Sequence, residues 1–338
     1  MWNRSHMDGK RFHGLSEMSR NRPKADRQSR RASTGGGPAL VRTSKLCSLS
    51  DAVSAVADGD RIAFGGFAIY QRPIAFVHEL IRQKRRDLTI VGVVNANETD
   101  LLVGAGCVRR IETSYVGLES FGLARNFRRA AEAGEIEVVD YPELIAWDRF
   151  RASQENLPFW PCTFLGGSDV AQLNPDIIPF TCPVTGKQMW AVPPAKPNVV
   201  VVHAIMGDEY GNVAFPARRL LPQSVDVTHT RSCDKVIVTV ERIVSTEEIK
   251  KHPELTEIPS FRTTHIVEVP YGAHPTAVLG IYKSDDDHFR AYAEASATQQ
   301  GFDAYLEEYV HGTRDHHEYL ERIGLRRLIA LRNVELPQ

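Results

Sequence analysis

Two glutamates follow predicted strands, and a carboxylate in that position can act as a base, an acid or a nucleophile. Glu119 lies in VGLESFG and Glu143 lies in DYPEL. A carboxylate does this chemistry when it is partly removed from water. A single acid at a strand end is also often a helix cap or a solvated loop residue. The residue type alone therefore leaves both interpretations open.

A glycine pair and an aromatic residue follow the first predicted strand, in RIAFGGFAIYQRP (residues 61–73). Gly65 and Gly66 lack a Cβ, so the backbone there can come close to a ligand or to another segment of the chain. The spacing does not match GxGxxG, and the sequence contains neither a GxxxxGK[ST] loop nor a GxSxG elbow. The segment predicts a close approach, without indicating a dinucleotide or nucleoside triphosphate site.

Asn95 ends the second predicted strand and is a candidate substrate contact. Its side chain can donate and accept hydrogen bonds, although asparagine is also a common turn residue. The turn interpretation explains the residue equally well.

From Leu46 onward, apolar runs alternate with amphipathic segments, which predicts an α/β fold with a mainly parallel sheet flanked by helices. NVVVVHAIM is the strongest strand candidate, and the segment from DHFRAY to LERIG (residues 287–324) is predicted to be helical. Ligands bind beyond the carboxyl ends of parallel strands. The loops after the strands are therefore the expected location of a site.

Local signals mark some helix ends. Ser50 is the expected cap of the first helix, and Ser245 with Glu248 matches a capping box. A proline-rich stretch at 158–183 interrupts the pattern, and we assign it no regular element.

The chain has 338 residues, of which 42% are apolar, and it contains no run of 18 apolar residues and no apolar N-terminal leader. We therefore expect a cytoplasmic protein without a membrane partner. Residues 1–43 contain ten Lys or Arg and three Asp or Glu, and we expect a disordered basic tail. A transit peptide and a nucleic-acid arm are weaker alternatives, and the sequence favours no nucleic-acid partner.

The five cysteines are spaced irregularly without a CxxC pair, so we expect reduced thiols. The C-terminal histidines His311, His316 and His317 lack companion ligands at helical spacing, and we expect surface residues and no metal.

Several motifs in order resemble the A (α) subunit of family I CoA-transferases, closest to the glutaconate CoA-transferase type. They are GDRIAFGGFAIYQRPIAFVHELIR, SYVGLESFGLARNFRRAAEAGEIEVVDY, LPFWPCTFLGGSD, PNVVVVHAIMGDEYGNV, CDKVIVTVERIVSTEEI and VPYGAHPT. The resemblance runs from about residue 48 to about residue 331. It implies the CoA-transferase fold, with a CoA-transferase domain of the α type at 44–332 and a short tail at 333–338.

The resemblance also implies a hetero-oligomer with a homologous B subunit, which supplies the nucleophilic glutamate. Acyl-CoA and a carboxylate would be the substrates, with CoA as a substrate moiety and no further cofactor. Gly65, Gly66 and Phe67 would line the acyl and pantetheine channel, with Asn95 and Glu119 as further substrate contacts.

Glu143 departs from this pattern, because family I transferases commonly have glutamine there. A carboxylate cannot donate to an oxyanion unless it is protonated. A branch of the same fold that opens rings of CoA-linked steroid catabolites is similar in having an acid here, so the alternative is a hydrolase with Glu143 as acid or base. A non-catalytic structural subunit is the second alternative.

Overall fold

The computed structural model describes residues 42–165, 167–216 and 221–332. The predicted basic tail, apart from residues 42 and 43, and the predicted C-terminal tail at 333–338 lie outside these residues. Within the described part, no helix is both long and apolar enough to cross a membrane.

Fourteen strands are present in the described residues. They are β1 (Arg61–Phe64), β2 (Leu88–Val91), β3 (Val94–Asn95), β4 (Val108–Thr113), β5 (Tyr115–Val116), β6 (Glu137–Asp140), β7 (Trp160–Cys162), β8 (Ile178–Thr181), β9 (Gln188–Val192), β10 (Val199–Gly207), β11 (Val213–Ala214), β12 (Val236–Ile243), β13 (Thr256–Ile258) and β14 (His265–Glu268).

Twelve α-helices accompany them in the same part of the chain. They are α1 (Leu49–Ser54), α2 (Ile74–Arg82), α3 (Asn97–Gly104), α4 (Arg125–Ala133), α5 (Glu143–Gln154), α6 (Val170–Leu173), α7 (Leu221–Arg231), α8 (Thr246–Lys251), α9 (Asp286–Ala295), α10 (Gln299–Leu306), α11 (His316–Ile323) and α12 (Leu325–Leu331).

The central sheet is mainly parallel, as predicted. Its parallel strands run in the order β6, β4, β2, β1, β10, β12, β14. The antiparallel strands β11 and β13 continue the sheet beside the second half of β10. The short parallel pair of β3 and β5 follows β2 and β4 along the chain.

Helices cover both faces of this sheet because its strands are apolar on both sides. Ile62 and Phe64 of β1 pack in one core cluster with α2, α3 and α10, whereas Ala63 packs in a second cluster with α5 and α7. The four valines at 199–202 in β10 are fully buried. A continuous apolar run is what a strand buried on both faces requires, and the predicted strand NVVVVHAIM is confirmed.

The helix-cap predictions had mixed outcomes. Ser245 Oγ accepts a hydrogen bond from the Glu248 amide at 3.2 Å, which confirms that cap. The Ser50 prediction was wrong, because Ser48 has the extended backbone of a cap and accepts from the Asp51 amide at 3.1 Å. Ser50 lies inside α1.

The proline-rich stretch contains a small antiparallel sheet that the sequence analysis did not predict. β9 is its central strand, between β7 and β8. Pro161 and Pro179 lie in the two edge strands, where a missing N–H does not interrupt the ladder. The prolines therefore argued against strands in the sequence, although edge strands tolerate proline.

Candidate active site

The segments predicted to carry the site lie at one edge of the sheet. Gly65 follows β1, Asn95 ends β3, Glu119 follows β5 and Glu143 follows β6. Strands β1, β2, β4 and β6 are adjacent and parallel, so their carboxyl ends share that edge. β6 is three strand spacings from β1, which places Glu143 roughly 14 Å across the sheet from Gly65.

The segment after β1 folds into a tight turn. Phe67 and Tyr70 exchange two backbone hydrogen bonds, with N–O distances of 3.1 and 3.0 Å. Backbone φ is positive at Gly66 (81°), Ala68 (49°) and Gln71 (59°). Positive φ is uncommon outside glycine. This turn, residues 65–71, is hereafter the glycine turn.

The glycines permit a close approach between segments of this chain. A Cβ on Gly65 would collide with Asp226 Oδ1, and one on Gly66 would collide with the carbonyl oxygens of Tyr70 and Gln71. The close approach that these glycines allow is therefore to Asp226 and to the carbonyl groups of the same turn, and the position of a thioester relative to Gly65 and Gly66 stays a prediction. Contact between a substrate and the outer surface of the glycine turn stays a prediction.

Asp226, from α7, lies fully buried beneath the glycine turn. Its Oδ1 accepts the Gly66 amide at 2.7 Å, and its Oδ2 accepts Gln71 Nε2 at 3.2 Å. Burial raises the pKa of the Asp226 carboxyl to about 7, although the Gly66 amide, the charge of Arg72 and the Gln71 side chain act in the opposite direction.

Arg72 holds the glycine turn from the other side. Its Nε donates to Ala68 O at 2.8 Å, one terminal nitrogen donates to Gly65 O at 3.0 Å, and the other donates to Val94 O. Nε also lies 3.4 Å from Glu98 Oε2, and both side chains are almost completely buried. Arg72 thereby joins the turn to the start of α3.

Asn95 is buried, and its side chain has internal partners. Its Nδ2 donates to Thr99 Oγ1 at 2.9 Å, and its Oδ1 accepts Thr113 Oγ1 at 2.8 Å. The amide therefore joins the end of β4 to α3. A substrate contact of Asn95 stays a prediction.

The two predicted acids are both exposed. Glu119 has a φ of 53° in a single 3-10 turn, and its charge adds to the effect of burial in raising the pKa of Tyr115. It does not cap the next helix, because α4 begins at Arg125 without a side-chain cap. Glu143 is the first residue of α5, and no described side chain hydrogen-bonds or ion-pairs with it. Their chemical roles stay predictions.

Sequence reasoning missed Arg72, Glu98 and Asp226. Arg72 lies in the segment that follows the glycine pair, but an arginine before a proline carries no signal of burial. Glu98 follows an asparagine at a strand end and resembles a solvated loop acid. Asp226 is 160 residues from Gly66 along the chain, so no local pattern connects the two.

An arginine-lined cleft of about 680 Å³ lies at the opposite edge of the sheet. Three guanidinium groups meet three carboxylates there, namely Arg61, Arg110 and Arg149 with Glu112, Glu137 and Asp176. Burial acts to raise the pKa of Glu112, but hydrogen bonds and charges from Arg61 and Arg149 outweigh it and lower this pKa to about 2. These ion pairs join β1, β4 and β6 to α5, and the exposed Arg109 is a fourth guanidinium group in the lining of the cleft.

Four histidines, His78, His274, His288 and His316, are buried where α2 meets the C-terminal helices. The expectation of a surface His316 was wrong, because its Nε2 is 2.8 Å from the Pro270 carbonyl oxygen; His311 and His317 are exposed, as expected. Among the described residues, no group of three or more His, Cys, Asp or Glu side chains is arranged to hold a metal ion.

Comparisons with known proteins identify the relatives of this chain. Residues 47–269 match the family described as Coenzyme A transferase. The chain is 33% identical to the A subunit of glutaconate CoA-transferase from Acidaminococcus fermentans, over 86% of this chain and 95% of that protein. It is 31% identical to the cholesterol ring-cleaving hydrolase IpdA subunit of Rhodococcus jostii, over 82% and 96%. An uncharacterized Archaeoglobus fulgidus protein is 34% identical, and the match covers 86% of this chain but 65% of that longer protein.

Two solved structures are similar in fold. The crystal structure of the Acidaminococcus fermentans glutaconate CoA-transferase has a TM-score of 0.81 at 32% identity, with 86% of this chain and 96% of that chain covered. The decarboxylase AibA/AibB has a TM-score of 0.68 at 30% identity, with 78% and 99% covered.

Proposed function

This chain belongs to the coenzyme A transferase family, and on that premise we propose that it is the A subunit of a heteromeric enzyme that moves CoA between an acyl-CoA and a carboxylic acid. The observation that carries the proposal is the similarity to the A subunit of a glutaconate CoA-transferase over 95% of that protein's length. The predicted fold and the shared strand-end edge support it.

A covalent CoA transfer needs a carboxylate nucleophile that is held towards the thioester. At the strand-end edge, Glu143 is exposed, and within the described residues no side chain orients it. Asp226 is buried and already bonded to the Gly66 amide. These observations favour a nucleophilic glutamate from a homologous B subunit, with this chain forming one wall of the site.

Large apolar side chains are exposed along the same edge. Tyr70, Tyr115, Leu123 and Leu144, which follow or lie beside the ends of β1, β4 and β6, are between 40% and 58% exposed. Aromatic and aliphatic side chains of this kind are typical of contact surfaces. We assign this rim to the B subunit, so that substrate lies between the two chains.

The second candidate is hydrolysis of a carbon–carbon bond in a CoA-linked ring, which the carboxylate at position 143 and the similarity to the IpdA subunit favour. In that reaction Glu143 would activate water or move a proton. The two reactions make different demands on this side chain.

Glu143→Gln in the complex with its B subunit separates the candidates. CoA exchange between acyl-CoA and acetate should remain within about threefold of wild type for a transferase, because the neutral glutamine amide donates an N–H hydrogen bond to an oxyanion, which glutamate can do only when it is protonated. A loss of about a hundredfold or more, with ring-opened product from wild type, would point to the hydrolase. Glu135→Gln, an exposed glutamate before β6, is the control. Equal turnover by the isolated B subunit would make this chain a structural component of the complex.

A further inference from the structure

The glycine turn is held in a conformation that its own sequence does not favour. Ala68 and Gln71 are non-glycine residues with φ of 49° and 59°. Such backbone persists only where surrounding groups over-determine it, and it is concentrated at ligand sites. The groups that impose it here are Asp226 and Gln223 beneath the turn and Arg72 beside it.

α7 presents two polar side chains to the underside of the turn, three residues apart and therefore on one helix face. Asp226 accepts hydrogen bonds from Gly66 and Gln71 at 2.7 and 3.2 Å. Gln223 Nε2 donates to Gln71 Oε1 at 2.7 Å. Gln71 Nε2 also donates to the His203 carbonyl at 2.8 Å, which fixes the amide against β10.

A buried carboxyl group is expensive to maintain in a protein core. An apolar residue at position 226 would fill the space but would leave the Gly66 amide and Gln71 Nε2 with one acceptor fewer. The carboxyl group is the element that satisfies both donors at once, and its Oδ1 occupies the space where a Gly65 side chain would project.

We propose that Asp226 is a positioning residue for the CoA-ester reaction, which fixes the glycine turn through the Gly66 amide and the Gln71 side chain so that the turn presents its outer surface to the acyl-CoA. This inference rests on the proposed function. Asp226 acts through the turn, because its carboxyl group is fully buried and both oxygens are bonded inside the chain.

Two substitutions at position 226 test the role. Asp226→Ala removes both acceptors, whereas Asp226→Asn keeps one oxygen for the Gly66 amide. Asp234→Ala, at an exposed aspartate beyond the end of α7, is the control. Hydrogen exchange of a peptide spanning residues 65–72 is measured on the full chain, and kcat and KM for an acyl-CoA are measured on its complex with the B subunit.

For Asp226→Ala we expect about tenfold faster exchange or more in this peptide, and a kcat about tenfold lower with KM changed less than about threefold. Asp226→Asn should lie between Asp226→Ala and wild type, and the control should match wild type. Wild-type exchange and kcat in folded Asp226→Ala would overturn the proposal. An Asp226→Asn chain as impaired as Asp226→Ala would support the proposal, because it would show that both carboxylate oxygens are needed as acceptors.

Gln71→Asn gives a second test if Asp226→Ala does not fold. Asparagine tolerates positive φ but is too short to reach Asp226 and His203 together. Faster exchange with reduced kcat is expected, and unchanged values would contradict the proposal. Hydrogen exchange is measured without substrate turnover. A failure of the proposed role of Asp226 is therefore distinguishable from a failure of the proposed CoA-transfer function.

Discussion

Arg72 Nε and Glu98 Oε2 lie 3.4 Å apart, and their side chains are 2% and 0% exposed. Glu98 also accepts the Ala96 amide with both carboxylate oxygens, at 3.1 and 3.0 Å. The pair therefore connects the turn after β1 with the start of α3. Removing Glu98 would leave the buried Arg72 with Asp226 as its remaining acidic neighbour.

Glu98→Gln should lower the free energy of unfolding by about 3 kcal/mol, because the buried Arg72 guanidinium loses its ion-pair partner and keeps only the charge of Asp226. Urea denaturation of the purified chain measures this change. Asp58→Asn removes the partner of Arg86 in an exposed pair and should leave stability almost unchanged. A cost for Glu98→Gln no greater than that of Asp58→Asn would show that the buried pair contributes little.

Gly66→Ala should destabilise the chain more than an alanine at an unobstructed glycine. At Gly66, with φ of 81°, the new Cβ meets two carbonyl oxygens, whereas at Gly134, with φ of 70°, it meets nothing within 4 Å. Gly134→Ala should cost roughly 1–2 kcal/mol for its backbone alone, and Gly66→Ala should cost about 2 kcal/mol beyond that. Thermal and urea denaturation of both variants provide the comparison. Equal costs for the two variants would show that the glycine turn shifts to accommodate the new Cβ at little cost in stability.

His78→Phe should make the protein less sensitive to acid. Both ring nitrogens of His78 lack a hydrogen-bond partner, and the ring packs edge-on against Tyr319 at 5.0 Å. Burial holds the pKa of His78 well below its usual 6.5, and the charges of Arg82 and of His274, His288 and His316 act in the same direction. Phenylalanine fills a similar space without two unsatisfied polar atoms.

The sign of the pH effect follows from that depressed pKa. As pH falls below 6.5, the unfolded chain binds a proton at His78 before the folded chain does, so the wild type loses stability. His78→Phe should therefore gain on the order of 1–2 kcal/mol relative to wild type between pH 7 and pH 5. Denaturation curves across this range measure the gain. His317→Gln, at an exposed histidine of α11, is the control. A constant difference across the range would contradict the depressed pKa.

The sheet and the edge that carries the candidate site were predictable because both depend on local patterns. Apolar runs such as VVVV identify buried strands, and parallel strands bring their following loops to one edge. The glycine pair likewise predicted that the backbone after β1 comes close to a ligand or to another segment of the chain. The sequence could not tell whether the approaching group was a ligand or Asp226, because that carboxyl group comes from a helix 160 residues away from Gly66 along the chain.

The chemistry of individual acids was less predictable for a related reason. Glu119 and Glu143 stand at strand ends in the pattern expected of catalytic carboxylates, yet both are exposed. Glu98 and Asp226 carry weaker local signals and are fully buried. Burial and partner charges decide how a carboxylate behaves, and both are set by tertiary contacts that a linear pattern does not contain.

We propose that this chain supplies one wall of a CoA-ester site and that a second chain supplies the nucleophile. Incubating the complex of the two chains with an acyl-CoA in the absence of acceptor, followed by intact mass spectrometry of each chain, tests it directly. We expect a CoA thioester adduct on a glutamate of the B subunit, with none on this chain. An adduct on this chain, at Glu143 or elsewhere, would contradict it.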